Sequence, residues 1–412
     1  MSDPQASGPS PEQIQRASLP TIPGTAASPV PPAAAPAAVP AQAASDFTNE
    51  IDKLFAAMQK SNASDLHLKA GSPPLFRVQG RIVRAKAQPL TLDHIKQLIA
   101  PIMKPRYDEE LNSRGAADFA HGVRGVGRFR VNIFKQRGAI SVAARRVETQ
   151  IPTLEQLNLP DSVRIIPNME QGLVLVAGIT GSGKSTTLAA LINVINQTRA
   201  CHIVTIEDPI EFLYRDEKAF VNQRELGIDV NNFADGLRYV LRQDPDVILI
   251  GEMRDAETFE TALIASETGH LVFGTVHAGS APQVVGRVLD YFPPDRHFQI
   301  RQLLYFNLKA VLVQKLLKGV RSDVPRVPTV EFMICNAVVR KLIQEEQDSK
   351  LADVIRTSAN DGMQDFNQSL MNLVKRGLIT EQIALEASPN PEQLQMNMKG
   401  IVLGTDRGSI IS

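Results

Sequence analysis

The sequence predicts an α/β protein: a parallel sheet covered by helices on both faces, with a smaller α+β region before it and helices after it. The first observation is that, from residue 172 on, short apolar segments alternate with segments of helical periodicity. Strands that are apolar throughout and alternate with helices are typical of a parallel sheet. The second observation is that residues 47–147 combine one amphipathic helix with segments of alternating polarity and glycine turns, which indicates a separate α+β region.

The composition excludes several classes of protein. The chain has 412 residues, 43% of them hydrophobic, which suggests two or three domains with ordinary cores. Lys and Arg number 44, as do Asp and Glu, so the zero net charge does not support nucleic acid or an anionic membrane as the main partner. The two distant cysteines, Cys201 and Cys335, argue against a zinc site and exclude a disulfide framework. The apolar runs are too short to span a bilayer and no secretory signal is evident, so we expect a cytoplasmic protein.

Both ends of the chain differ from the rest. Residues 1–45 contain 10 prolines, 12 alanines and three charged residues. Such a segment cannot bury a core, so we predict a disordered Pro/Ala-rich extension over 1–45, of which a plain flexible tail without a partner is the simplest interpretation. We also predict a flexible polar tail over 396–412.

The α+β domain is predicted over 46–150. Its helix, FTNEIDKLFAAMQKSN, spaces apolar residues three and four apart. SDLHLKAG, PLFRVQGRIV and GRFRVNIFKQRGAISVAARRV then alternate as strands do. A proline-bounded connection, ETQIPTLEQLNLP, leads into the second domain.

The second domain is predicted over 160–395. Its strands are LVLVAG, HIVTI, VILI and LVFGTV, and helices such as KSTTLAALINVINQ and DAETFETALIASET separate them. After about residue 295 the sequence predicts helices alone, beginning with FQIRQLLYFNLKAVLVQKLL. AVVRKLIQEE, KLADVIRTSA, FNQSLMNLVKRG and TEQIALEA follow as further predicted helices.

A phosphate-binding loop is the most specific motif in the chain. GITGSGKS, from Gly178 to Ser185, fits the pattern G-x-x-x-x-G-K-[ST] and lies between an apolar strand and a helix, as that motif requires. An ordinary glycine-rich turn would rarely combine the full pattern with this context. Lys184 is expected to reach the β- and γ-phosphates and the Ser185 hydroxyl to bind Mg²⁺. The predicted nucleotide contacts are Gly178, Thr180, Gly181, Ser182, Gly183, Lys184, Ser185 and Thr186.

Acidic residues follow two of the predicted strands. Because ligands gather beyond the carboxyl ends of parallel strands, Glu207 and Asp208 of TIEDPIEF are expected near the phosphate loop. In many nucleotide hydrolases a strand like VILI ends in an aspartate that helps hold Mg²⁺, but here Gly251 follows, and then Glu252. Glu252 is the candidate to orient and deprotonate water. The alternative, an acid at a helix start, fits Asp255 better.

Two histidines and several arginines complete the set of candidate site residues. His277 lies at the carboxyl end of the fourth strand, where it can sense the γ-phosphate, and His270 lies at the opposite end. Strand alternation places Arg128 and Arg130 opposite an apolar face. A solvated strand face is one interpretation of these arginines, and arginine fingers for a nucleotide held by another domain or subunit are the other. A nucleic-acid patch is disfavoured by the scarcity of aromatic residues.

These motifs together resemble the secretion-ATPase superfamily, and specifically the PilT/PilU-type ATPases of type IVa pili. GITGSGKSTT resembles the family's Walker A segment, TIEDPIEF its aspartate box, LRQDPDVILIGEMRD its Walker B segment and ETGHLVFGTVHAGSA its histidine box. SDLHLKAGSPPLFRVQG and GRFRVNIFKQRG resemble its N-terminal PAS-like domain. The resemblance covers roughly residues 47–395.

The resemblance implies a homohexameric motor with a RecA-like ATPase domain that retracts a type IV pilus, binds ATP and Mg²⁺, and acts on a platform protein of the inner membrane at the pilus base. It implies Glu252 as general base and the acids Glu207, Asp208 and Glu211 near Mg²⁺ or its waters. It also implies nucleotide-site roles for His270 and His277, and arginine fingers at Arg130 and Arg145.

Three departures from the family pattern keep alternatives open. The N-terminal extension is unusual, VHAGS stands where LHT is common, and the helical segment VVRKLIQE has Gln344 where retraction ATPases usually carry an arginine. An accessory retraction ATPase that assists another is therefore an alternative. An extension or secretion ATPase is a further one, although the tetracysteine segment typical of that class is missing from this sequence. A nucleotide-gated scaffold with little turnover is an alternative of a different class.

Overall fold

A computed structural model of the chain describes residues 49–400. The predicted extension over 1–45 and most of the predicted C-terminal tail lie outside the described residues. Residues 49–400 belong to one compact unit. The predicted boundary between 150 and 160 stays a prediction.

An antiparallel six-stranded sheet occupies the N-terminal part of this unit. Its strands are β1 (Ala63–Leu68), β2 (Leu75–Val78), β3 (Arg81–Arg84), β4 (Ala116–Val123), β5 (Gly127–Gln136) and β6 (Ala139–Arg146), in the order β3-β2-β1-β6-β5-β4. The helices of this part are α1 (Glu50–Lys60), α2 (Leu92–Ile99) and α3 (Pro105–Arg114). The predicted alternation along β5 is confirmed, since Phe129, Val131 and Ile133 are all fully buried.

A seven-stranded sheet follows and carries the phosphate-loop motif. Its strands are β7 (Gly172–Ala177), β8 (His202–Glu207), β9 (Phe220–Glu225), β10 (Val247–Ile250), β11 (Leu271–Val276), β12 (Leu308–Arg321) and β13 (Val324–Ile334), in the order β13-β12-β7-β11-β10-β8-β9. All neighbours are parallel except β12 and β13, which form an antiparallel hairpin. The helices α4 (Lys184–Thr198), α5 (Phe233–Val240), α6 (Ala256–Glu267), α7 (Ala281–Leu289) and α8 (His297–Asn307) are interspersed among these strands.

The parallel sheet is buried on both faces, as predicted. Leu173 and Leu175 of β7 pack into one apolar cluster, and the alternate residues Val174 and Val176 pack into another. The last described helices are α9 (Ala337–Gln344), α10 (Leu351–Thr357), α11 (Phe366–Lys375), α12 (Glu381–Ala387) and α13 (Pro391–Met398). The α/β fold class and the C-terminal helices are confirmed. In residues 49–400, no helix has both the length and the apolar character needed to cross a membrane.

One helix prediction is wrong. FQIRQLLYFNLKAVLVQKLL was predicted as a single helix, but α8 ends at Asn307 and the rest, up to Leu317, forms most of strand β12. The apolar run of β12 adds to the edge of β7, with Val311 opposite Leu175, and that long-range pairing decides the conformation. The prediction also lacked β13, which pairs with β12, and the polar edge strand β9.

Candidate functional site

The phosphate loop connects the end of β7 to the start of α4. Gly178, Gly181 and Gly183 have φ of +143°, +78° and +91°, in the region that favours glycine. The Ser182 amide donates to the Ile179 carbonyl at 3.2 Å and closes the turn. The motif therefore adopts the strand–loop–helix arrangement that brings backbone amides and a helix N-terminus to one place.

A cavity of about 460 Å³ opens in front of this loop. It lies beyond the carboxyl ends of β8, β10 and β11, where residues from each of these strands or the turns after them reach it. Most of the predicted site residues meet here, and those that line the cavity are Thr180, Gly181, Gly183, Lys184, Ser185, Thr186, Glu207, Asp208, Glu211, Glu252 and His277.

Lys184 is the first residue of α4 and folds back over the loop. Its Nζ donates to the carbonyls of Gly178 at 2.9 Å and Ile179 at 3.1 Å. Burial lowers the pKa of Lys184, and the carboxylates of Glu252 and Glu211 oppose that shift. The ammonium is thus held where the loop and the acidic rim of the cavity meet.

Glu252 is linked to two basic side chains. Its Oε1 accepts a hydrogen bond from His277 Nε2 at 3.0 Å, and its Oε2 accepts one from Arg254. The hydrogen bond from Arg254 is the main reason why the pKa of Glu252 is lowered, and His277 adds to the shift. The carboxylate is therefore ionised at neutral pH and able to accept a proton.

Glu207, at the end of β8, lies deeper than Glu252. It accepts hydrogen bonds from the Thr205 hydroxyl at 2.7 Å and from Gln223 Nε2 at 3.1 Å. Burial nevertheless raises the pKa of Glu207 above that of an exposed glutamate. Asp255, by contrast, caps helix α6 by accepting from the Thr258 amide at 2.8 Å, which confirms the helix-start interpretation for that residue.

Two predicted loop residues and one histidine lie away from the cavity lining. Gly178 and Ser182 do not line the cavity, and Ser182 is 2% exposed. His270 precedes β11 at the end opposite His277, and its Nδ1 lies 2.9 Å from the Ala265 carbonyl. The structure therefore separates the two histidines by the length of the strand.

The two predicted arginine fingers lie on the six-stranded sheet. Arg130 of β5 and Arg145 of β6 are directly opposite each other in register. Arg145 Nε donates to the buried Asp65 at 2.8 Å, while 72% of the Arg145 side chain is exposed. Neither arginine lines the cavity of its own chain.

Several residues that line the cavity were not predicted from the sequence. Arg254 lies two residues after Glu252. A single arginine in a turn does not indicate a functional role in the sequence. Leu316 and Arg326 reach the cavity from the β12–β13 hairpin. The hairpin was predicted as helix or missed, so no sequence argument could have brought these two residues to the site.

The fold and the site define a RecA-like P-loop ATPase. The family model described as "Type II/IV secretion system protein" matches residues 43–326, and the chain belongs to this family.

Relatives and solved structures agree with this assignment. The chain is 42% identical over 343 residues to the type IV pilus retraction ATPase PilT of Pseudomonas aeruginosa, a match that spans 83% of this chain and 99% of that protein. It is 37% identical to the type IV pilus ATPase PilU of the same organism, over 85% of this chain and 91% of that one. A crystal structure of the pilus retraction motor PilT with bound ADP matches with a TM-score of 0.78 and 44% identity, over 84% of this chain and 99% of that one.

Proposed function

We propose that this protein is a hexameric motor ATPase that couples ATP hydrolysis to the retraction of a type IV pilus. The observation that carries the proposal is the match to PilT along nearly the whole of that protein. A motor of this kind works in the cytoplasm at the inner-membrane base of the pilus, where a platform protein is the partner we expect.

The cavity residues divide into a phosphate-binding set and a water-activating set. In the first set, the amides of the loop and Lys184 would hold the β- and γ-phosphates, and the Ser185 hydroxyl would be one ligand of Mg²⁺. Mg²⁺ is bound through few protein oxygens and keeps several waters, which suits a site with one hydroxyl and the nearby acids Glu207, Asp208 and Glu211. When bound, it neutralises charge on the phosphate oxygens.

Glu252 is the base in the second set. Its ionised carboxylate accepts a proton from the attacking water, and Arg254 and His277 hold it in place through their hydrogen bonds. We assign the charge stabilisation of the transition state to Arg130 and Arg145 of a neighbouring subunit. His270 lies at the end of β11 opposite His277, so it does not share in this step within one chain.

Two substitutions test the assignment of ATP hydrolysis. Lys184→Ala is expected to abolish both turnover and tight ATP binding, whereas Glu252→Gln is expected to abolish turnover and retain ATP binding. Glu257→Gln, which removes an exposed carboxylate that pairs with Arg238, is the matched control and keeps wild-type turnover. Normal hydrolysis by purified Glu252→Gln protein would remove Glu252 from the role of base.

Pilus dynamics test the motor assignment. A strain in which this protein is the sole retraction ATPase is expected to retract pili and to twitch.

An accessory role of the PilU type is the second candidate. It is favoured by the match to PilU and by Gln344, whose amide donates to Gln302 on the neighbouring helix at 3.1 Å. Retraction that appears only when a second ATPase is co-expressed would establish the accessory role, and bald cells on deletion would indicate an extension ATPase.

A further inference from the structure

A buried glutamine lies directly beneath the phosphate loop. Val313 of β12 is paired with Ala177, the last residue of β7, so the next residue of β12, Gln314, continues past the end of its neighbour. At this point β7 has given way to the loop, and the Gln314 side chain fills the space below it. Gln314 is 2% exposed, although its side chain is a polar amide.

Both ends of this amide are hydrogen-bonded to the nucleotide-binding machinery. Gln314 Nε2 donates to the Ser182 carbonyl of the loop at 2.8 Å. Gln314 Oε1 accepts from the Thr187 hydroxyl in the first turns of α4, also at 2.8 Å. One side chain therefore joins the loop to the helix that follows it, from a strand that lies far away in the sequence.

The same residue explains two of the loop glycines. A Cβ on Gly183 would lie 2.7 Å from Gln314 Nε2, and a Cβ on Gly178 would lie 2.4 Å from the Gln314 carbonyl oxygen. The contact at Gly178 is with backbone, so a side chain there would lift the loop off β12, whereas a side chain at Gly183 would displace the Gln314 amide from its bond to Ser182. A side chain at either position would therefore disturb the contact between the loop and β12, in addition to the strain that positive φ imposes.

We propose that Gln314 is a positioning residue that holds the phosphate loop in its nucleotide-binding conformation. The proposal rests on nucleotide binding as set out under the proposed function. The amide does not touch the cavity and acts through Ser182 and Thr187. Because a buried amide with only one partner satisfied is costly, the loop conformation that satisfies both ends is favoured over others.

This role makes a specific kinetic prediction. Gln314→Met keeps the size of the side chain but removes both hydrogen bonds, so the loop loses its preference for the binding conformation. We expect affinities for Mg-ATP and Mg-ADP to fall about tenfold, with KM for ATP rising similarly and kcat within about twofold of wild type, because the loop acts on substrate and transition state alike.

The experiment compares four proteins with the wild type: Gln314→Met, Thr187→Val, the double variant and Ser369→Ala. Ser369→Ala removes the hydroxyl oxygen that accepts a hydrogen bond from the Val330 amide of the same hairpin at 3.1 Å. This bond is remote from the loop, so the variant controls for loss of stability. Nucleotide affinity is measured by displacement of a fluorescent ADP analogue, and stability by denaturant unfolding. We expect Ser369→Ala to lose stability without losing affinity, and the two loop-facing substitutions to be less than additive in affinity.

The possible results distinguish a failure of the positioning role from a failure of the proposed function. A wild-type protein that binds neither ATP nor ADP would overturn both. A wild-type protein that binds nucleotide, together with a Gln314→Met protein whose affinity and KM stay within twofold of it, would overturn the positioning role alone. If Gln314→Met does not fold, Thr187→Val carries the same test, because it removes one of the two bonds and is expected to lower affinity about threefold to fivefold.

Discussion

Gly251 occupies the position where many nucleotide hydrolases have an aspartate, and the packing of the strand ends explains why. Its amide donates to the Ile206 carbonyl of β8 at 2.8 Å, and its carbonyl accepts from the Thr275 hydroxyl at 2.6 Å. A Cβ on Gly251 would lie 3.2 Å from both the Ile206 carbonyl oxygen and Glu207 Cα. Any side chain, an aspartate included, would therefore press on the backbone that carries Glu207 and Asp208.

This close contact can be tested by adding one methyl group at position 251. Gly251→Ala is expected to lower the free energy of unfolding by about 1–3 kcal/mol, because backbone atoms cannot move aside as a side-chain tip can. It is also expected to reduce kcat, because the ends of β8 and β10 carry the acids of the site. Denaturant unfolding and steady-state ATP hydrolysis measure the two effects.

Gly286→Ala in helix α7 is the matched control for this substitution. A Cβ there meets nothing within 4 Å, so alanine should leave stability unchanged or raise it by about 0.5–1 kcal/mol through helix propensity. A Gly251→Ala protein as stable and as active as the Gly286→Ala protein would show that the approach of β10 to β8 leaves room for a side chain.

At the scale of elements, helix α7 is capped from a different strand. Its own N-cap residue, Ser280, makes no side-chain capping bond. Glu331 of β13 instead accepts a hydrogen bond from the Ala281 amide at the start of the helix. Because α7 begins four residues after His277, the β12–β13 hairpin supports both the phosphate loop, through Gln314, and the segment that follows the histidine.

Glu331 should make the stability of the protein depend on pH. Burial raises the pKa of Glu331 to about 7, and Asp365 adds to this effect, while the Ala281 amide and Lys315 oppose it. The folded protein therefore binds the proton more tightly than the unfolded chain does. The contribution of Glu331 to stability is greatest below the unfolded pKa of 4.5 and declines as pH rises to about 7.

Glu331→Gln removes this dependence and keeps an oxygen for the Ala281 amide. The variant is expected to be more stable than wild type at pH 8 by up to about 3 kcal/mol, and the two proteins should converge near pH 5. Denaturant unfolding across this range checks the prediction, with Glu257→Gln as the control for removal of an exposed carboxylate. Parallel stability curves for wild type and Glu331→Gln would contradict the raised pKa.

The β12–β13 hairpin is the part of the fold that could not be predicted from the sequence. The phosphate loop, Glu207 and Glu252 could be located from local patterns, because a strand–loop–helix motif is continuous and the carboxyl ends of parallel strands share one edge. The conformation of the segment after Leu308 could not be predicted from local patterns, because a short apolar run fits a helix and a strand equally well. The pairing with β7 that decides between the two is with residues distant in sequence. Gln314, Arg326 and Glu331 belong to that hairpin, so they were missed together.

At the scale of the whole molecule, the proposed catalytic groups are divided between two sheets. Glu252 and Lys184 face the cavity beside the seven-stranded sheet, whereas Arg130 and Arg145 lie on the six-stranded sheet and do not line the cavity. Asp65, which is 6% exposed, holds Arg145 by its Nε and leaves the rest of an exposed guanidinium free for another partner. A ring in which one subunit presents its arginines to the site of the next accounts for this separation.

Mixed rings test whether the arginines act between subunits. In one mixture, equal amounts of Lys184→Ala chains and Arg145→Ala chains are combined; in the other, equal amounts of wild-type chains and chains that carry both substitutions are combined. Both mixtures contain the same number of each side chain. If the arginine completes the neighbouring site, about one quarter of the sites are intact in either mixture, so the two should hydrolyse ATP at equal rates. If the arginine serves its own chain, the first mixture should be inactive, whereas about half of the sites in the second should work.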